Sequence, residues 1–99
     1  MTGEGVVQEV RLDHFLRASR LVPRRTVAQE LCERGAVRVN DLPARAARRV
    51  HVGDRIELTR GARLIAVRVI ALPSSKQVSR AQAPTLYELL EERVLPEVF

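Results

Sequence analysis

A change of period at Gly35 constrains this chain more than any other feature. Before it, apolar and small residues recur at helical spacing: Leu12, Phe15, Leu16 and Ser19 in one segment, then Val27, Ala28, Leu31 and Cys32 in the next. After it, Val37 and Val39 point one way and Arg38 the other, the two-residue alternation of a strand. A chain patterned this way folds as α+β, with its helices first.

The punctuation fits that order. Asp13 is the expected N-cap of the first helix, with Arg17 four residues on as its partner. The link Leu21-Val22-Pro23 is short, proline suits a helix's first turn, and Gly35 suits the end of the second helix. Asn40-Asp41 with Pro43 and then Gly53-Asp54 mark turns, with the basic connection ARAARRVHV between them. Arg55–Thr59 and LIAVRVIAL are strands joined through RGAR. Beyond Pro73, PSSKQVSRAQAP has the composition of an exposed linker. Thr85 would cap a last helix carrying Leu86, Leu89 and Leu90 on one face. The expected domain layout is a flexible lead over residues 1–10, a helical hairpin packed on a small, mostly antiparallel sheet over 11–72, and a linker with an acidic C-terminal helix over 73–99.

Charge narrows the function. Residues 11–80 hold 16 Lys and Arg against 6 acids, whereas residues 81–99 hold four acids against Arg93 alone. A basic body of this kind implies a polyanionic partner, and nucleic acid is the usual one. Phe15, Tyr87 and Phe99 are the only aromatics, too few to stack single-stranded bases, so recognition should run through backbone and shape. A protein-binding module presenting its basic face to an acidic protein is the alternative. No membrane partner is expected, since no apolar run nears the roughly 20 residues of a span. MTGEGVVQEV lacks the basic and apolar regions of a signal peptide, so a cytoplasmic location is expected.

Catalysis is not expected, and neither is a cofactor or a metal. His14 and His51 stand apart from any Cys, Asp or Glu at ligand spacing, and Cys32 is a lone small hydrophobe. The arginines differ among themselves. Arg34 falls in the last turn of the second helix, where a cation is favoured, four residues after Glu30. Arg24 and Arg25 fall in the first turn, the wrong end for cations, with Val27, Ala28 and Gln29 rather than acids as their helical neighbours. A helix start with free N–H groups binds anions, so these two arginines are candidate phosphate ligands.

The stretch RLDHFLRASRLVPRRTVAQELCERGAVRVN resembles the S4 RNA-binding domain (the alpha-L motif): R-L-D-x-F-L, then R-R-T opening the second helix, then G-x-V-x-V-N, and later V-x-x-G-D. By position Arg11, Asp13, Arg24, Arg25, Thr26, Arg38, Asn40 and Arg45 fall on its motif sites and are the RNA-binding residues the resemblance implies. Arg20 joins them on charge and location. Asp41 stands where the family usually has glycine.

The tail TLYELLEERV resembles the end of the short RqcP-type members of bacterial ribosome-associated quality control. That resemblance implies binding to large-subunit rRNA and to peptidyl-tRNA in the P site of obstructed subunits, and a monomer is expected. It also implies cooperation with RqcH, which adds C-terminal alanine tails. The heat-shock type of S4 protein is the rival within the family, and its usual basic C-terminal extension is replaced here by acids. A fragment of an S4-bearing pseudouridine synthase is the weaker rival, since no catalytic domain fits in 99 residues.

Overall fold

The computed structural model describes residues 8–74 and 78–96. Of the expected lead, residues 1–7 lie outside the described residues, and the remainder is not loose. Val10 is buried and begins β1 (Val10–Arg11), which pairs antiparallel with β4 (Arg49–Val50). The helical hairpin follows as α1 (Leu12–Ala18) and α2 (Arg25–Glu33).

Arg11, not Asp13, occupies the N-cap of α1. The first N–H groups of the helix find other acceptors: Leu12 donates to the Arg48 carbonyl at 2.8 Å and Asp13 to the Ala46 carbonyl at 3.1 Å. The basic connection therefore caps α1 with its backbone, which frees the Asp13 side chain for another task. At the end of α2, Gly35 has φ 76, its N–H reaches the Cys32 carbonyl, and the Ala36 N–H reaches that of Leu31. This doubly bonded end is the one expected of a glycine just past a helix.

A five-stranded antiparallel sheet has the order β3-β2-β5-β6-β7, built from β2 (Val37–Val39), β3 (Leu42–Pro43), β5 (Arg55–Arg60), β6 (Arg63–Val69) and β7 (Tyr87–Val94). Val39 pairs with Leu42, so Asn40 and Asp41 form a two-residue turn, and both have positive φ, 51 and 72. That is the backbone of a type I′ hairpin, which fits the strands' twist. It forms with Asp41 in place of glycine because the Asn40 side chain locks it: Oδ1 accepts the Arg55 N–H at 3.0 Å and Nδ2 donates to Asp54 at 3.1 Å.

The core lies between the hairpin and the sheet. Phe15, Leu12 and Leu16 from α1 meet Val37, Val39, Ile56, Leu58, Val67 and Val69, with Ala28, Leu31 and Cys32 closing the α2 side. Each such large side chain contributes about 1.5–3 kcal/mol by leaving water.

The C-terminal region differs from the expected linker and helix. Val78, Ala83 and Leu86 are buried in the same core, and a 3-10 turn (Ala83–Leu86) leads directly into β7. Thr85 lies inside that turn, and Tyr87-Glu88-Leu89-Leu90-Glu91-Glu92-Arg93-Val94 is a strand rather than a helix. Leucine and glutamate favour helix locally, but an isolated short helix is marginal in water. The open edge of β6 offers a full ladder of backbone bonds, and Glu92 pairs with Arg63 across it. Leu90 is the extra residue of a bulge, since Ala66 faces Glu91 and Val67 faces Leu89. No helix among the described residues is long and apolar enough to cross a membrane.

Candidate nucleic-acid interface

Asp13 is the centre of the site, and it is fully buried. Arg11 grips it twice, from Nε to Oδ1 and from a terminal nitrogen to Oδ2, both at 3.1 Å. From α2, Gln29 donates Nε2 to Oδ2 at 2.9 Å and Arg25 places Nε 3.1 Å from the same oxygen. Burial pushes the carboxyl upward, but the bonds from Arg11, Gln29 and Arg25 outweigh it and hold the carboxyl at about 2. In return, the hydrogen bond and charge of Asp13 push the Arg11 guanidinium up.

Two expectations change here. Arg25 is compensated after all, by an acid from the other helix, so the first turn of α2 holds one satisfied cation. Asp13 is not itself an RNA contact: a buried carboxylate cannot reach a phosphate and would repel it. Its task is to hold two guanidiniums in place. Arg17, expected to pair with it, has no ion pair among the described residues.

What the clamp leaves outside is suited to phosphate. Arg11 and Arg25 are 40% and 48% exposed, and Arg25 meets Asp13 through Nε, which leaves its two terminal NH2 groups as donors for a ligand. Arg24 is the N-cap of α2, makes no capping bond with its side chain and is exposed, as is Thr26 in the first turn. The first N–H groups of α2 therefore stay open to an anion.

Arg11 and Arg25 also line a depression of about 300 Å³ with Glu9, Val10, His14 and Arg49. A neighbouring one of about 500 Å³ runs from Arg11 past Gln29, Cys32 and Glu33 to Arg45. Arg11 stands directly opposite Arg49 in the β1–β4 pair, a like-charge juxtaposition that costs stability unless an anion lies across it.

Six of the nine expected residues therefore gather around the hairpin: Arg11, Asp13, Arg24, Arg25, Thr26 and Arg45. The other three do not join them. Asn40 is spent on turn geometry, and Arg38 beside it donates to the Asp41 carbonyl. Arg20 lies at the far end of α1, where its guanidinium donates to the Val78 carbonyl at 3.1 Å.

The sequence reading missed Gln29, Arg49 and His14. Arg49 was legible as the outward partner of Val50 in a two-residue alternation. Gln29 was not, because its contact runs between helices. Burial, then the charges of Arg25 and Arg17, push the His14 imidazole down against the pull of Asp13. Burial, with the charge of Asp13, pushes the Cys32 thiol up to about 11, so it is an inert hydrophobe as expected.

Residues 10–56 match the S4 domain family. The chain is 40% identical over 83 residues to the RQC P-site tRNA stabilizing factor of Halalkalibacterium halodurans, covering 84% of this chain and 92% of that one. It is 35% identical over 88 residues to the Bacillus subtilis protein of the same name, covering 89% of this chain and all of that one. The trimeric structure of Vibrio cholerae Heat Shock Protein 15 superposes with a TM-score of 0.76 at 28% identity, covering 84% of this chain and 83% of that one.

Proposed function

The chain belongs to the S4 domain family, with RQC P-site tRNA stabilizing factors among its relatives, and from that premise we propose that it binds RNA on large ribosomal subunits obstructed by peptidyl-tRNA. On this reading it is a non-catalytic, ribosome-associated and cytoplasmic protein that acts as a monomer. It touches large-subunit rRNA and holds the P-site tRNA in the position that lets RqcH add alanine to the stalled chain. The observation that carries the reading is the clamp: one buried carboxylate fixes the guanidiniums of Arg11 and Arg25 beside the open N-terminus of α2.

Mechanistically, the site works by preorganisation. Two arginines held by Asp13 lose little further freedom on meeting phosphate, so more of each contact appears as affinity. Arg24, Arg45 and Arg49 add field around them and contribute mainly to the rate and salt sensitivity of association. Thr26 and the first N–H groups of α2 supply uncharged donors at the same place.

The test is cosedimentation with large subunits that carry peptidyl-tRNA and with vacant ones, followed by alanine tailing with purified RqcH. The proposal expects preference for obstructed subunits, and tailing that Arg24→Glu weakens. If about five arginines meet phosphates, log K should fall against log salt with a slope of roughly −3 to −5. A flat salt response would remove RNA as the partner and leave the protein-binding alternative. The likeness to Heat Shock Protein 15 supports a second reading, a heat-shock-type factor for stalled subunits. Binding to obstructed subunits without any effect on tailing would select it.

A further inference from the structure

We propose that Arg17 and Arg20, together with Ser79 and Gln82, form a second phosphate-binding site at the C-terminal end of α1, separate from the Asp13 clamp. The inference deepens the RNA-binding reading and takes its ligand, a phosphate of the RNA backbone, from it.

Several observations meet there. A depression of about 480 Å³ is lined by Arg17, Arg20, Val78, Ser79 and Gln82, which gives it two full positive charges and no acid among the described residues. Arg17 has no ion pair among the described residues, because Asp13, four residues before it, is occupied by Arg11, Arg25 and Gln29.

Arg20 has φ 62, a conformation that favours glycine and resists a β-carbon, yet the chain carries a long cation at this position. Strain of this kind concentrates where a side chain has work to do. The single bond from Arg20 to the Val78 carbonyl anchors the guanidinium and leaves its other N–H groups for a ligand.

The end of a helix ordinarily repels anions, but here the carbonyls of Phe15, Leu16 and Arg17 already accept hydrogen bonds. Ser19 donates its N–H to Phe15 and its hydroxyl to Leu16, and the Arg20 N–H reaches the Arg17 carbonyl. On the opposite wall, Ser79 Oγ accepts the Gln82 N–H at 3.1 Å, and its own hydroxyl proton has no acceptor among the described residues. The site thus offers guanidinium forks from one wall and a hydroxyl from the other. It lies about 10 Å along α1 from the clamp, within reach of the same RNA duplex.

Arg20→Gly separates this proposal from a merely structural role. It removes the cation and at the same time relieves the backbone. A short RNA hairpin and, separately, inorganic phosphate are the probes, the latter followed by NMR shifts of the amides of residues 20 and 79. The expected result is a melting temperature equal to wild type or higher, RNA affinity lower by about three- to tenfold, and a salt slope shallower by about 1. Phosphate should shift both amides in wild type and neither in the variant. Arg17→Gln, which leaves the backbone alone, should show the same losses at unchanged stability. Wild-type RNA affinity and slope in both variants would overturn the site. If the wild-type protein binds no RNA, the functional reading falls by itself, and the phosphate titration still decides: shifts at residues 20 and 79 uphold the site and their absence overturns it.

Discussion

Arg25→Glu is the sharpest perturbation of the clamp, with Arg24→Glu as its neighbour control. Arg25 Nε stands 3.1 Å from an oxygen of Asp13, whose side chain is wholly buried. Stripping a buried charge of its partner costs about 3–5 kcal/mol when nothing replaces it. Asp13 keeps Arg11 and Gln29, and Arg25 is itself 48% exposed. The loss is therefore screened to about 1–2 kcal/mol. The new carboxylate adds repulsion on the order of 1 kcal/mol, since it can turn towards solvent. An acid at the helix start returns about 0.3–1 kcal/mol.

The net destabilisation is about 2 kcal/mol, or a melting point lower by about 8–16 °C in a domain of this size. Arg24 has no ion pair among the described residues. Arg24→Glu should therefore gain only the helix-end term and melt at or slightly above the wild-type temperature. Both variants should lose RNA affinity. Thermal melts by circular dichroism at pH 7, beside filter binding to RNA, measure the two effects separately. Equal melting temperatures for the two variants would refute the claim that Asp13 holds Arg25 in place.

The same clamp predicts a pH dependence. The Asp13 carboxyl sits at about 2 rather than the ordinary 3.8, so its contribution is whole above pH 3.8 and is lost as pH falls through 2. That contribution is about 2 kcal/mol, and urea midpoints measured from pH 5 down to 2 should fall accordingly, less steeply in Asp13→Asn. Leu86, buried beyond the expected linker, should cost about 2–4 kcal/mol on replacement by alanine. Truncation after Ser79, which also removes β7, should expose more core than that, and a fully folded truncated chain in urea titrations would contradict the packing. Asp41→Gly should raise stability by about 0.5–1 kcal/mol by relieving φ 72. Its exposed pair with Arg55 offsets little, so a lowered melting temperature would mean the turn depends on the aspartate.

Whatever is decided within a few residues was legible along the chain. The periods of 3.6 and 2 on either side of Gly35, the glycine past α2 and the Asn40-Asp41 turn each act through neighbours in the chain. They fixed the helical hairpin and strands β2, β5 and β6. The basic surplus over residues 11–80 and the R-R-T at α2 pointed to a candidate site on the hairpin for the same reason, since charge and helix polarity are local properties.

Tertiary structure decided whatever depends on a distant partner. The segment 87–94 has the composition of a helix and becomes β7 because β6 presents an unpaired edge, a fact no window of eight residues contains. Asp13 has the look of a cap and becomes a buried clamp because the carbonyls of Ala46 and Arg48 cap α1 first, and because α2 brings Gln29 and Arg25 to it. Local free energies of a few tenths of a kcal/mol select elements. A closed ladder of backbone bonds, or a buried charge that must be neutralised, is worth several times as much and overrules them.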